Sequence, residues 1–386
     1  MRKRLLYFSL AFTLSLAAIL LIFGCQQQAA DADDAGAGST ADAATATQPP
    51  APPRSFTVIA VGDIMLDRSV WKAIQANGYE SILARVRDLT RSADISFANL
   101  ECPLSDEGPH SPVEHLIFRA PPSTVRVLLD GGFDVVALAN NHSLNAGRVG
   151  ALNTLDTLEK HSIAYCGMRR EKERSWEPTY FQVNGYTLGF MSYTDLAFEH
   201  GSYAKVGDYD ELAQQLASAK SACDFLFVSV HWGNEYQNVP TTRQKKLGHF
   251  LVDNGVDVVL GHHPHVLQGV EVYNGSLILY SMGNFVFDQR EGERMESAIF
   301  HLTYTEDYGW AIFAKPVWIA RSRMGPVYPE AARAAKIADR LTRLSTDLGT
   351  QATQKHSKMW ITILQSEQGT PPQVGLNPPD KEYHDE

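Results

Sequence analysis

Cysteine is scarce. The chain of 386 residues holds four, Cys25, Cys102, Cys166 and Cys223, and no two of them form a Cys-x-x-Cys pair. That spacing excludes a zinc ribbon, a thioredoxin-like redox site and a small disulfide-framed fold. It leaves buried thiols, with or without one bridged pair. Basic residues are in deficit too: 34 Lys and Arg against 44 Asp and Glu give a formal charge of −10. Nucleic-acid binders usually carry a basic face, so no nucleic-acid partner is expected. Residues 26–55 lack any aromatic, Val, Ile, Leu or Met. Such a stretch cannot bury enough apolar surface to order itself, and Pro49, Pro50, Pro52 and Pro53 stiffen its end into an extended spacer. Internal repeats are absent. What is present is a composition of 44% hydrophobic and 10% aromatic residues, which supports an ample globular core and excludes a collagen-like or coiled-coil chain.

The longest apolar run lies at the amino end. Leu5 to Phe23 follows Arg2, Lys3 and Arg4 and stops at Gly24-Cys25. A basic start, an apolar middle and a small residue at the cut site read as a secretory signal. Ile22-Phe23-Gly24-Cys25 resembles a bacterial lipobox, with cleavage before Cys25 and lipid on its thiol. A plain membrane-spanning anchor is the alternative, since the run is just long enough to cross a bilayer. Either reading puts the remainder outside the cytoplasm, at the periplasm or cell surface, with the bacterial membrane as partner; the lipobox makes it a cell-membrane lipoprotein. The expected organisation is a signal over 1–24, a tether over 25–55, a folded domain over 56–325, a helical extension over 326–366 and a polar, mobile tail over 367–386.

The folded part alternates strand and helix signals. Apolar, β-branched runs predict strands at Phe56–Val61, Ile95–Asn99, Phe133–Ala139, Ile163–Cys166, Phe225–Val230 and Val256–Leu260. Helices are predicted over Val70–Arg91, Pro121–Leu129, Gly150–Lys160, Tyr209–Lys220, Thr242–Asn254 and Ala331–Leu348. Asn184-Gly185 and Asn274-Gly275 between apolar runs signal two hairpins. Strand–helix units mixed with hairpins imply an α/β domain with mixed sheets.

Chemistry collects where the strands end. Asp63 follows the first strand, and Asn99 and Glu101 close the second. Asn140, Asn141 and His142 follow the third. His231 and Glu235 follow the Phe225 strand, His262, His263 and His265 the Val256 strand, and Asn284 the Leu277 strand. Ligands bind α/β sheets at the carboxyl edge of the strands, so these ends imply one pocket. Carboxylates, Asn carbonyls and imidazoles suit divalent Mn, Fe, Zn or Mg rather than a thiolate-loving metal. In an extended segment His262 and His263 point to opposite sides while His263 and His265 share one. Taken singly, Asp63 can equally cap a helix, and Asn140 and Asn141 can serve a turn.

VGDIMLDR (Val61–Arg68), ANLECPL (Ala98–Leu104), ALANNHSLNAG (Ala137–Gly147), VHWGNEY (Val230–Tyr236) and GHHPHVLQ (Gly261–Gln268) resemble the CapA/PgsA family of poly-gamma-glutamate capsule biosynthesis, related to calcineurin-like metallophosphoesterases. The resemblance runs from about Phe56 to Ala320. It implies a four-layer α/β/β/α sandwich with metals at the strand edge. It also implies Asp63, Glu101, Asn141, His231, His263 and His265 as metal ligands, with His262 as an alternative. Asp63 and His142 become the catalytic residues, His142 as the acid facing the substrate. Asn99, Asn140, Glu235 and Asn284 fill out the pocket. Three positions depart from the pattern. Met65 stands where the classical Asp-x-His motif has a histidine, Glu101 replaces a bridging aspartate, and Asn145 stands where many members have Asp. A metal-dependent hydrolase or transferase acting on an anionic polymer or lipid-linked substrate is the function implied. The alternatives are a non-catalytic lipoprotein that binds polymer or helps assemble a synthase complex, and a surface phosphatase with no capsule role.

Overall fold

The computed structural model describes residues 53–196, 203–289, 291–355 and 358–363. The signal, Cys25, nearly all of the tether and the tail from 367 lie outside the described residues. From the amino end, β1 (Ser55–Ile64), β2 (Ile95–Leu100), β3 (Val135–Ala137) and β4 (Ala164–Cys166) alternate with α1 (Arg68–Asn77), α2 (Arg87–Thr90), α3 (Val125–Gly131) and α4 (Gly147–Lys160). Next come β5 (Thr179–Val183), β6 (Tyr186–Thr194), α5 (Tyr209–Lys220), β7 (Phe225–His231), α6 (Thr242–Asp253), β8 (Val258–His262), β9 (Val270–Tyr273) and β10 (Ser276–Leu279). The chain closes with β11 (Asn284–Val286), β12 (Glu296–Thr305), β13 (Gly309–Ala320), β14 (Gly325–Val327), α7 (Ala331–Thr346), β15 (Ala352–Lys355) and β16 (Lys358–Ile363).

These strands form two mixed sheets. The first runs β15-β16-β13-β12-β1-β2-β3-β4, with β11 beside β1 and β14 beside β13; the second runs β5-β6-β7-β8-β10-β9. β1 to β4 pair in parallel, as do β6, β7 and β8, which brings their carboxyl ends to one edge.

Side-chain alternation builds the layers. Phe56, Val58 and Ala60 of β1 face Phe190, Phe227 and Leu260 of the other sheet, while Ile59 and Val61 face Leu128 and Leu155 of the helices. Along β7, Phe225 and Phe227 point between the sheets, and Leu226 and Val228 meet Leu212 and Leu251 of α5 and α6. Both faces of each parallel strand are therefore covered, and this is why the strands read as continuous apolar runs. The architecture is α/β/β/α, as expected. Each large apolar side chain so buried contributes about 1.5–3 kcal/mol.

Both Asn-Gly hairpins form. Asn184 and Gly185 take φ of 49° and 84°, and Asn274 and Gly275 take 48° and 81°, the double left-handed pattern of a type I′ turn. Cys102, Cys166 and Cys223 are all free thiols.

Three expectations need correction. The helix expected over Val70–Arg91 stops at Asn77, because Gly78 adopts φ 85° and its N–H caps Ile74; a short turn and α2 follow. β1 begins at Ser55, and Arg54 is paired to Glu306 at 2.8 Å, so folded chain starts inside the stretch assigned to the tether. The segment after 325 is not simply helical. β14, β15 and β16 join the first sheet, and β16 pairs directly with β13. α7 lies against that sheet and puts Ile337 and Leu341 into the core between the sheets. Ser345 Oγ and Thr350 Oγ1 accept the Val270 and Val272 N–H groups at 2.9 Å each, which satisfies the outer edge of β9.

Candidate metal centre

β1 and β2 deliver the first carboxylates. The register of their pairing shifts before Asp63, leaving Asp63 opposite Asn99. Gly62 makes the approach possible: a Cβ there would sit 1.9 Å from the Gly283 carbonyl oxygen. Asp63 does not cap the helix. Asp67 does, through Arg68 N–H, and Asp63 is left free and fully buried.

The expected residues converge. Asp63 Oδ1 accepts from Asn99 Nδ2 at 2.9 Å and from His262 Nδ1 at 2.8 Å. Asn140 Nδ2 donates to Asn99 Oδ1 at 3.1 Å and to the Leu100 carbonyl at 2.9 Å, so Asn140 supports the site from behind. His231 Nε2 lies 2.8 Å from Asn141 Oδ1. Glu101 Oε1 stands 3.6 Å from His265 Nε2 and 3.9 Å from both His142 Nε2 and His231 Nε2. Two groups of side chains present ligand atoms within 4.8 Å of one another: Asp63, Glu101 and His231, and Glu235, His263 and His265.

His262 turns into the core rather than joining either group. Its ring lies 6.0 Å from that of Phe97, and its Nδ1 is taken by Asp63. The His263–His265 segment is not extended, because both residues have positive φ, 94° and 58°. The two rings nevertheless sit 5.9 Å apart on the same side. Backbone held in sparsely populated regions is typical of sites that surrounding structure over-determines.

Amide orientations fix the imidazole tautomers. Asn145 Oδ1 accepts the Phe118 backbone N–H at 2.8 Å, so it also accepts His142 Nδ1–H at 2.8 Å. Asn284 Nδ2 donates to the Arg294 carbonyl at 3.0 Å and the His265 carbonyl at 3.3 Å, which leaves Oδ1 to accept His265 Nδ1–H at 2.8 Å. Both histidines then offer an Nε2 lone pair toward Glu101. The geometry thus favours His142 as a proton acceptor over the acid implied by the resemblance.

Electrostatics sharpen this picture. Burial holds His142 and His263 down to about 4, and His231 well below its ordinary value, so all three rings are neutral at pH 7. Burial would raise the Asp63 carboxyl, but hydrogen bonds from His262 and His265 outweigh it and hold the group well below the usual range. Burial and the neighbouring Asp63 charge drive Glu101 well upward. Burial opposes charge on His265, yet Glu101 and Asp63 push it up to about 9. A charged His265 presupposes a charged Glu101, while the upward push on Glu101 presupposes a protonated one. What stands is a single proton retained between the two, because burial disfavours separated charges.

Both Glu101 carboxylate oxygens are buried without a hydrogen-bond partner, as are His262 Nε2 and His263 Nδ1. A fully buried carboxylate with two orphaned oxygens is costly unless a cation meets it. The donor set of carboxylate oxygens, an amide oxygen and neutral imidazoles fits a divalent metal ion.

Comparison with known proteins gives the family. Residues 57–289 match the family described as bacterial capsule synthesis protein PGA_cap. The chain belongs to that family. It is 32% identical to the PGA biosynthesis protein CapA of Bacillus subtilis over 73% of this chain and 77% of that protein. It is also 32% identical to the capsule biosynthesis protein CapA of Bacillus anthracis over 80% and 78%. A probable polyglutamine synthesis accessory protein of Mycobacterium tuberculosis is 25% identical over 66% and 81%. A solved structure of a novel phosphatase from Mycoplasma pneumoniae aligns with a TM-score of 0.43 at 13% identity, over 71% of this chain and 92% of that one. A likeness at that score has no bearing on the chemistry.

In this PGA_cap chain the departures have visible consequences. Met65 is fully buried in the helix-side core, and its Sδ accepts the Asp67 N–H at 3.1 Å, so this position supplies no donor to the centre. Glu235, read from sequence as a pocket residue only, joins His263 and His265 in the second donor group. Its loop is tied to the histidine segment by Tyr236 N–H, which donates to the Pro264 carbonyl at 2.8 Å. The proximity of VHWGNEY to GHHPH in space is the signal for this role, and spacing along the chain does not carry it.

Proposed function

We propose that this protein acts in the synthesis or export of poly-gamma-glutamate, or a like anionic polymer, at the extracytoplasmic face of the bacterial membrane, through a metal-dependent hydrolase or transferase site. Family membership supports the capsule role, and the apolar run ending in Gly24-Cys25 supports lipid attachment at Cys25. The observation that carries the catalytic reading is the buried, orphaned Glu101 carboxylate between two donor groups. Asp63, Glu101, Asn141 and His231 would hold one divalent cation, and Glu235, His263 and His265 a second. Mn, Fe, Zn and Mg all suit these donors. Bound cations would supply Lewis acidity and lower the pKa of water.

The chain's own residues do the rest. Asn99 and His262 hold Asp63 in one orientation. Asn284 holds His265. His142, neutral and fixed by Asn145, accepts a proton through Nε2 during attack on a phosphoryl or acyl group. Phe118, stacked on His142 at 4.2 Å, keeps water from the other face of that ring.

The test is metal content of the purified full-length protein, together with hydrolysis of a chromogenic phosphodiester. About two divalent ions per chain are expected, with activity lost in Asp63→Ala and His265→Ala. Variants that keep both metal and activity would sink the assignment. Burial of Met65 in place of a histidine ligand favours a second reading, in which the protein organises the polymer or its synthase without chemistry. Site variants that still support polymer export would decide for that reading.

A further inference from the structure

Arg68 opens α1 with φ +53°, a conformation rare outside glycine. Asp67 holds it there. Asp67 Oδ1 accepts Arg68 N–H at 2.7 Å, and Oδ2 accepts His110 Nε2 at 2.8 Å and Arg119 N–H at 2.9 Å. Strain maintained by such a network points to a function for the side chain it aims. The guanidinium pairs with Asp288 and lies over the Phe118 ring, 4.8 Å from its centroid, with the Phe287 ring at 5.9 Å. Phe118 stacks on His142 at 4.2 Å, and Phe287 meets His265 at 5.0 Å. Arg68 therefore stands one aromatic ring from two imidazoles that both face Glu101.

The group is not used as a structural arginine is. Arg243 grips Asp195 with two donors, Nε at 2.6 Å and Nη2 at 2.5 Å. Arg68 gives Asp288 only Nη2, and its Nε is buried without a partner among the described residues. The side chain keeps 18% exposure, so solvent reaches it. A guanidinium fork recognises carboxylate and phosphate alike.

We propose that Arg68 binds a second anionic group of an extended substrate, beyond the group held at the cation centre, and so makes the site selective for oligoanions over single anions. This rests on the proposed function for placing the reacting group at the cations. With Phe118 interposed, Arg68 sets specificity and takes no part in bond breaking.

Calorimetric titration of the manganese-loaded full chain tests this, with orthophosphate, tripolyphosphate and a γ-linked glutamate tetramer as probes. At least one oligoanion should bind ten-fold or more tighter than orthophosphate, and which one does so distinguishes phosphate from carboxylate recognition. Arg68→Gln should erase that preference, with orthophosphate affinity and manganese content unchanged, and Arg68→Lys should restore part of it. Asp288→Asn breaks the same ion pair without removing the cation and should keep the preference. The inference is overturned if the wild type shows no preference, if Arg68→Gln retains it, or if Asp288→Asn loses it as fully as Arg68→Gln does. Manganese content and phosphodiester hydrolysis are read separately, so failure of the proposed function is not mistaken for failure of this one.

Discussion

Replacing Glu101 by Gln should invert the response of this protein to metal. Without a cation, two buried carboxylate oxygens have no partner and stand beside the ionised Asp63. An unsatisfied buried polar group costs about 1–3 kcal/mol, more when charged. The Gln amide would need no retained proton and would place an N–H₂ near the His265 and His142 Nε2 atoms, now 3.6 Å and 3.9 Å from Oε1. The metal-free variant should therefore be more stable than metal-free wild type by roughly 1–3 kcal/mol, raising Tm by a few degrees, on the order of 3–6 °C. Manganese reverses the order. A ligand at a hundred times its Kd stabilises by about 2.7 kcal/mol, and the variant, lacking the central carboxylate, should forfeit most of that. Differential scanning calorimetry of chelator-treated and manganese-loaded samples reads both halves. A metal-free variant that melts below wild type, or one whose manganese shift equals that of wild type, refutes the argument that Glu101 is kept for a cation.

Glu235→Ala should lower bound manganese from about two ions per chain to one, measured by plasma mass spectrometry, with an unchanged circular dichroism spectrum; unchanged stoichiometry would remove Glu235 from the centre. Gly62→Ala should cost more than about 3 kcal/mol in urea unfolding, since backbone overlap with Gly283 has no side chain that can move aside; a loss under about 1 kcal/mol would contradict the close approach. His301 stacks on Phe313 at 4.1 Å with both ring nitrogens unpartnered among the described residues, and burial and nearby lysines hold it down to about 3. The unfolded chain takes up its proton near pH 6.5 and the folded chain does not, so this stability is complete above pH 6.5 and is lost as pH falls toward 3. Between pH 7.5 and pH 5 the loss is about 2 kcal/mol, and His301→Phe should remove that share of the pH dependence in chemical unfolding curves.

Much of the polar cluster at the strand ends is legible in the sequence. Gly-Asp, Asn-Asn-His and Gly-His-His-Pro-His stand out because each polar cluster interrupts an apolar strand at its carboxyl end, and a parallel sheet gathers such ends at one edge. The two Asn-Gly turns were equally plain, since few residues other than Asn and Gly accept φ > 0 in succession. Other features were not legible. The broken helix after Asn77 depended on how Gly78 is used. β15 pairs only with β16, and β16 joins the sheet through β13, which lies on the other side of α7 in the chain, so no local pattern names that partner. The roles of Glu235, Arg68, Asn145 and Asn284 each depend on a neighbour distant in sequence.

Sequence alone determined the donor types at the strand ends and the mixed α/β class, because both follow from residue types and local periodicity. Tertiary structure decided which lone pairs face Glu101 and which turn into the core. That choice turned on amides oriented by backbone donors and acceptors from other elements, and on a histidine segment bent by positive φ. Such orientation is set by packing across the two sheets, and no spacing along the chain encodes it.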